Sequence, residues 1–540
     1  MNWNFSEALY QLGKSDIADR PALIHDDQTI SYATLIERAS GIASWLSSQD
    51  LPDGSHVGHY LRNSNVYMET FIATGLAGMS HVNVNFRYVD DELLDLCNGL
   101  DIRVLVYDTE FTEVVARIKD RCEQTVAFVE VGGDAPVNDF AIAMESLYAF
   151  DSSGFQRRTS SNDLILVATG GTTGLPKGTQ WRHEDLWFKM EISMGGGLAE
   201  LALEQHPSTV DEHIANVASL PQAGPVLPLS PLMHGTGLLI ALQALAQGTA
   251  VVTTSGARFH AGRTVDMVAK HRVGALVIVG DAFAIPLLEE LENRRGQNPL
   301  VSLKVIFSSG ALLSEDSRAG LQSYNQEMMV MDGLGSTETI GFGIATGEAG
   351  VFLPMPTTRV FDDQMREVEP GSDTVGIAYS GGYSPIGYYK EPEKSAETFV
   401  EIDGERYVKT GDRCTVREDG MLVLLGRDST VINTGGEKVY TVEVERVLVD
   451  HPLIGDAIVV GLPHSRFGNM VVAVVEGPQL SADTIDVEEI KQFARQHLAG
   501  YKVPKHVFTI DSLQRAANGK PDYPFVRDYA AQQLAQASPE

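Results

Sequence analysis

Cysteine is scarce in this chain, with three in 540 residues, Cys97, Cys122 and Cys414. That is too few for a disulfide framework, and none sits in a Cys-x-x-Cys or Cys/His cluster of the kind that holds zinc. Long apolar runs are missing too: the longest fall well short of the roughly 20 residues that cross a bilayer. The opening MNWNFSEALYQLGKSDIADR has no basic segment followed by an apolar one, so it does not read as a secretory leader. Positive charge is in deficit, 41 Lys and Arg against 72 Asp and Glu, a net charge of −31. Such a balance argues against nucleic acid or an anionic lipid surface as the main partner. A phosphate-bearing substrate would need a locally positive pocket on this surface. What remains is a globular composition, 43% hydrophobic and 21% charged, in a chain long enough for more than one core. A cytoplasmic enzyme is the expectation.

Short β-branched runs recur between helical patterns: Asp163–Ala168, Ala250–Thr254, Ala275–Val279 and Leu303–Ser308. Phe283–Arg295 reads as a helix with Ile285, Leu288 and Leu291 on one side. Buried strands alternating with helices predict an α/β fold with mainly parallel sheets. The last part of the chain reads differently, with a boundary near Gly426. Leu422–Leu425, Ala457–Gly461 and Val471–Val475 read as strands, and Asp486–Leu498 as a helix capped by Asp486 and ended by Gly500. The expected organisation is a large N-terminal domain, residues 1–426, and a small, mobile α+β C-terminal domain, residues 427–540. Gly195–Pro225 is weakly periodic and reads as an irregular insertion, and AQQLAQASPE as a frayed helix end or a tail.

The most informative segment is TGGTTGLPKG, Thr169–Gly178, directly after a predicted strand. Its glycines let backbone N–H groups turn toward an anion, its threonines add hydroxyl donors and Lys177 adds charge, which suits a polyphosphate. It is not a Walker A loop, because Lys177 is preceded by Pro176 and followed by Gly178 instead of Ser or Thr.

Five further segments follow in order: PLMHGTG (Pro231–Gly237), DGLGSTE (Asp332–Glu338), YVKTGD (Tyr407–Asp412), GRDSTVINTGGEKV (Gly426–Val439) and NGK (Asn518–Lys520). Together with the Gly/Thr segment they resemble the adenylate-forming superfamily of acyl-CoA synthetases, luciferases and carrier-protein adenylation domains, over nearly the whole chain. The resemblance implies ATP, Mg²⁺ and coenzyme A. It places Thr169, Gly170, Gly171, Thr172, Thr173, Gly174 and Lys177 on the phosphates. Gly310, Ala311, Asp332, Gly333, Leu334 and Gly335 fall along the nucleotide, and Asp412 and Arg427 on the ribose. By the same resemblance Lys520 reaches the reacting carboxylate and α-phosphate, Glu338 holds the magnesium and the Thr337 hydroxyl contacts phosphate. His234 matches a gate at the mouth of the acid pocket, which Leu312, Met331, Phe342 and the insertion would shape. Gly435 and Gly436 match the lining of the pantetheine channel.

Two positions depart from the pattern. An aromatic that stacks on adenine is replaced by Leu334, which offers apolar cover without ring stacking. The hinge, normally Asp or Lys, is Ser429. Val82–Val89, Trp181–Leu186 and Ile432–Val439 resemble bacterial synthetases acting on long or steroid side-chain acids. Aryl- or short-chain acid ligases, and a non-catalytic nucleotide-binding protein, remain alternatives, and a homodimer is an open expectation.

Overall fold

Branched, fully buried side chains suit a strand covered on both faces, and most of the predicted runs are such strands. The computed structural model describes the chain except residues 1, 172–173, 195–206, 257, 295, 312, 349, 428–429, 435–436, 465–467, 478–485, 516–520 and 538–540. Contacts divide it into two units. The first comprises Met1–Ser309, Asp316–Phe342 and Gly381–Val408, and the second Gly310–Glu315, Gly343–Ser380 and Lys409–Glu540.

The first unit is α/β. One sheet runs in the order Met329–Leu334, Val305–Ser309, Ala275–Ile278, Val226–Pro228, Val251–Thr253, Pro21–His25 and Gln28–Ser31. All these pairings are parallel except the closing hairpin. A second sheet runs in the order Gly387–Tyr388, Gly174–Arg182, Leu164–Gly171, Ser80–Asn83, His56–Tyr60, Ile102–Asp108, Ala127–Val131 and Ala141–Ala143. Its body is parallel, and its Gly387–Tyr388 end is antiparallel. Aromatic rings pack where the first helix meets later ones: Phe5 and Trp3 lie 4.8 and 5.1 Å from the Trp187 ring.

Three expectations are corrected. The helix predicted over 283–295 spans Asp281–Asn293, and its buried face is Phe283, Ala284, Leu287 and Leu291, with Ile285 48% exposed. The i, i+4, i+8 series 283, 287, 291 therefore sets the stripe, and Ile285 falls outside it. The insertion is not irregular throughout, because Val210–Ser219 is a helix. Thr209 caps it through the Glu212 amide, and Val210, His213, Ile214 and Val217 form its buried stripe, a Thr-x-x-Glu signal followed by helical spacing. The Gly/Thr segment is not a free loop. Its two arms pair as an antiparallel hairpin, Ala168 opposite Gly178, Thr169 opposite Lys177 and Gly171 opposite Gly174.

In the second unit, antiparallel pairs join Gly343–Ala345 to Val351–Pro354 and Val351–Pro354 to Leu422–Arg427. The C-terminal α+β fold centres on Asp456–His464 and Gly468–Glu476, paired antiparallel, with His506–Thr509 parallel to the latter. Period-2 alternation sends Val459, Val471, Ala473 and Val475 to one face, against Ile490 and Ala494 of the helix Val487–His497. Ile458, Val460, Val472 and Val474 face the other way, against Val526 and Ala530 of Tyr523–Ala537. Asp486 caps its helix as expected, accepting from the Glu488 and Glu489 amides at 3.0 and 3.1 Å. That helix ends at His497 with Leu498 extended, two residues short of Gly500.

Candidate active site

In the first unit the Gly/Thr hairpin is held from both sides. On one side is Asn83, 4% exposed, at the end of the neighbouring strand. Its Oδ1 accepts from the Ala168 amide at 2.6 Å, and its Nδ2 donates to the Ala168 carbonyl at 3.1 Å. The same Nδ2 donates to the Met233 carbonyl at 2.5 Å. One amide thus ties the base of the hairpin to the segment that delivers His234. That histidine stands half-buried just before the helix Gly235–Ala246, and its carbonyl accepts the Leu238 amide at 3.1 Å. Gly237 allows this turn: a Cβ there would lie 2.4 Å from the Ser230 carbonyl oxygen and 2.7 Å from that of Pro231.

On the other side, Tyr388 pairs with Thr179 across Gly387–Tyr388. Its O–H donates to Glu338 Oε1 at 2.8 Å, and the Lys177 ammonium lies 5.1 Å from its ring centroid. The ring is buried, and its amide donates to Ser395 Oγ at 2.8 Å. Burial first, and then the Glu338 charge, push the phenol well above its ordinary range, so it remains a proton donor at neutral pH.

Glu338 sits on a turn closed by its own hydroxyls. The Ser336 amide donates to Thr339 Oγ1 at 2.9 Å, the Glu338 amide to Ser336 Oγ at 3.3 Å and the Ile340 amide to the Ser336 carbonyl at 2.9 Å. The buried Trp181 donates its indole N–H to the Thr337 carbonyl at 2.9 Å. Upstream, Asp332 lies opposite Ser308 and Gly333 opposite Ser309, whose Oγ donates to the Gly333 carbonyl at 3.0 Å. Burial pushes the Asp332 carboxyl up to about 6, against a Ser308 hydrogen bond and the Arg318 charge. Leu334 is half-buried, its carbonyl accepting from the Phe342 amide at 2.9 Å, and Gly335 has no room for a Cβ, which would lie 2.7 Å from the Gly341 nitrogen. Met331 packs partly buried against the core.

The second unit carries Gly310, Ala311, Asp412 and Arg427. Asp412 and Arg427 are register partners on adjacent antiparallel strands. Asp412 is 4% exposed, and Gly411 before it adopts φ +77°, a conformation glycine reaches without strain. Of the expected site residues, Thr172, Thr173, Ser429, Gly435, Gly436 and Lys520 lie outside the described residues, as does Leu312.

The sequence motifs give Asn83, Trp181 and Tyr388 no site role. Asn83 carries a signal, an amide flanked by two valines at the end of a short strand, where a buried polar group must find partners. Tyr388 and Trp181 read as ordinary aromatics, because their polar atoms meet partners distant in sequence.

Among the described residues no three His, Cys, Asp or Glu side chains gather as a metal cage. Magnesium does not need one. It is commonly held by one or two carboxylates, substrate phosphates and water, and a single carboxylate beside a phosphate-type hairpin fits that habit.

Two family models match the chain, AMP-binding enzyme over residues 14–389 and AMP-binding enzyme C-terminal domain over residues 443–520. It is 36% identical to the 3-oxocholest-4-en-26-oate–CoA ligase of Rhodococcus rhodochrous, covering 95% of this chain and 93% of that protein. It is 35% identical to the medium/long-chain-fatty-acid–CoA/3-oxocholest-4-en-26-oate–CoA ligase of Mycolicibacterium smegmatis, covering 96% and 95%. The fold matches that of ATP-bound MatB from Rhodopseudomonas palustris, with TM-score 0.80, 24% identity and coverage of 98% and 99%. It also matches the anthranilate CoA ligase AuaEII in complex with anthranoyl-AMP, with TM-score 0.81, 20% identity and coverage of 99% and 98%. With both models matched in order along its length, this chain belongs to the AMP-binding enzyme family.

Proposed function

We propose that this chain is an ATP-dependent acid:CoA ligase whose substrate is a long-chain or steroid side-chain carboxylic acid. The observation that carries the reading is the run of contacts from Lys177 through Tyr388 to Glu338, which brings the phosphate-type hairpin and the GSTE turn to one place. A cation on a glycine-rich hairpin and a carboxylate suited to a hard metal, each in contact with the same tyrosine, answer the needs of a triphosphate. The acid class follows from the two relatives named above, which are about one-third identical over nearly the whole chain.

In the first half-reaction a substrate carboxylate oxygen attacks the α-phosphorus of ATP, the new P–O bond forms and pyrophosphate leaves. In the second, the CoA sulfur attacks the acyl carbon, AMP leaves and the thiol proton passes to solvent. Hairpin amides, the Thr169 hydroxyl and Lys177 bind and orient the phosphates, and Thr337 adds a donor. Glu338 would hold Mg²⁺, which when bound offsets charge on the phosphate oxygens. Asp412 accepts from the ribose hydroxyls, with Arg427 beside it, and His234 gates the acid. Lys520 neutralises the charge that develops as the acid meets the α-phosphate, and Gly435 and Gly436 line the path of CoA. Division of the chain at 426/427, a pivot at Ser429, a cytoplasmic setting and a homodimer complete the proposal. Among the described residues no helix is long and apolar enough to cross a membrane.

The test is acid-dependent pyrophosphate release, with and without CoA, over fatty, aryl and steroidal acids. Highest kcat/KM with long-chain or steroidal acids, with acyl-CoA as product, is expected. Preference for aryl or short acids would overturn the acid class, and no release with any acid would overturn the ligase.

A further inference from the structure

Two opposite charges in the site share a neutral neighbour. The Lys177 ammonium rests over one face of the Tyr388 ring, 5.1 Å from its centroid, while the phenolic O–H donates to Glu338 Oε1 at 2.8 Å. Without an aromatic between them, a flexible lysine and a nearby carboxylate are drawn into a direct ion pair. Such a pair would take the cation from the phosphates and the carboxylate from the metal. A ring face holds an ammonium weakly enough to release it to a phosphate. A single O–H donor occupies one carboxylate oxygen and orients the other.

The tyrosine itself is firmly placed. Its backbone is paired with Thr179, its amide donates to Ser395 Oγ at 2.8 Å, and its ring packs 5.2 Å from that of Phe399. Firm placement is what a spacer needs, because its worth lies in where it holds others.

We propose that Tyr388 is a positioning residue that keeps the hairpin cation and the metal carboxylate apart and oriented, so that both are available when Mg·ATP arrives. This rests on the assignment of Lys177 to phosphate and Glu338 to metal. The ring and the hydroxyl then have separable effects: the ring serves Lys177, and so the nucleotide with or without metal, while the hydroxyl serves Glu338, and so the metal complex alone.

The experiment is calorimetric binding of a non-hydrolysable methylene analogue of ATP, with magnesium and with chelator, to the full chain and its variants. Tyr388→Phe should weaken the magnesium complex by roughly tenfold or more, as for loss of one hydrogen bond to a charged group, and leave metal-free binding unchanged. Tyr388→Leu should weaken both forms, the metal-free one by about threefold or more, and Tyr388→Phe should restore that metal-free part. In a Glu338→Gln background, Tyr388→Phe should have no further effect on the magnesium complex. Reference variants separate the two levels. If Lys177→Ala and Glu338→Gln leave both affinities unchanged, the site assignment itself fails. If they lose affinity as assigned while Tyr388→Phe behaves as wild type, the positioning role fails alone. Equal weakening of both forms in the Phe and Leu variants would mean a general packing role and would overturn the inference.

Discussion

Changing Asn83 to Asp keeps the shape of the side chain and reverses the chemistry of one atom. The Nδ2 that donates to the Ala168 and Met233 carbonyls becomes an oxygen facing them, while the acceptor of the Ala168 amide stays in place. Two donor bonds are lost and two carbonyls are left facing an acceptor in a site where Asn83 is 4% exposed. At about 1 to 3 kcal/mol for each group left without a partner, the local cost is roughly 2 to 6 kcal/mol. Because 1.4 kcal/mol is tenfold, opening of the hairpin base should rise by about thirtyfold or more. Hydrogen exchange read on peptides covering 164–171 and 229–237 checks this, and both segments should exchange faster together. A neutral carboxylic acid can donate again, and burial between two carbonyls favours that form, so acid should partly reverse the loss in Asn83→Asp. Asn83→Leu, which offers no donor at any pH, should show no reversal. Unchanged exchange in either segment, or the same pH response in both variants, would refute the coupling of hairpin and His234 segment through this amide.

Lys520→Ala should lose acyl-adenylate formation by orders of magnitude while still making thioester from supplied acyl-AMP, and equal loss of both steps in rapid-quench assays would give Lys520 another role. Asp412→Asn should raise the KM for ATP by roughly tenfold to a hundredfold with little change in the KM for the acid, as loss of charge-assisted bonds to two hydroxyls requires; a matching rise for the acid would count against the ribose contact. Burial holds His59 and His183 neutral, each lowered to about 3 from an ordinary 6.5. Their folded values are depressed, so the unfolded chain binds protons first as pH falls below 6.5, and stability is lost between there and about 3. At pH 5 each should cost about 2 kcal/mol relative to pH 7.5. Urea midpoints at the two pH values check this, and His59→Gln should shrink the difference.

The strands were legible because both faces are buried and the residues are branched, as in Ala275–Ile278 and Val305–Ser309. Asp456–His464 and Gly468–Glu476 are readable for the same reason, being apolar on both faces. The stripe of Asp281–Asn293 was misplaced because its apolar residues, Phe283, Ile285, Leu287, Leu288 and Leu291, admit two faces, and only packing chooses between them. The helix Val210–Ser219 is hard to read because a glycine run and prolines flank its Thr-x-x-Glu cap and break the periodicity around it. For the site, motif order named Lys177, Glu338, Asp332 and Asp412. It gives no site role to Asn83, Trp181 or Tyr388; Asn83 meets Ala168 across 85 residues and Trp181 meets Thr337 across 156. Such partners are brought together by sheet order, which no local pattern spells out.

Trp181 gives this chain a built-in optical probe. It is one of four tryptophans, and its indole N–H is committed to the carbonyl of Thr337, the residue directly before Glu338. Indole emission responds to the strength of that bond and to the charge around the ring, so any shift of the turn carrying Glu338 writes itself into fluorescence. Trp3 and Trp187 lie against each other at 5.1 Å, and Trp45 is elsewhere in the core, so substituting those three would leave a single emitter at the site. Nucleotide arrival could then be timed in a stopped-flow instrument without a label.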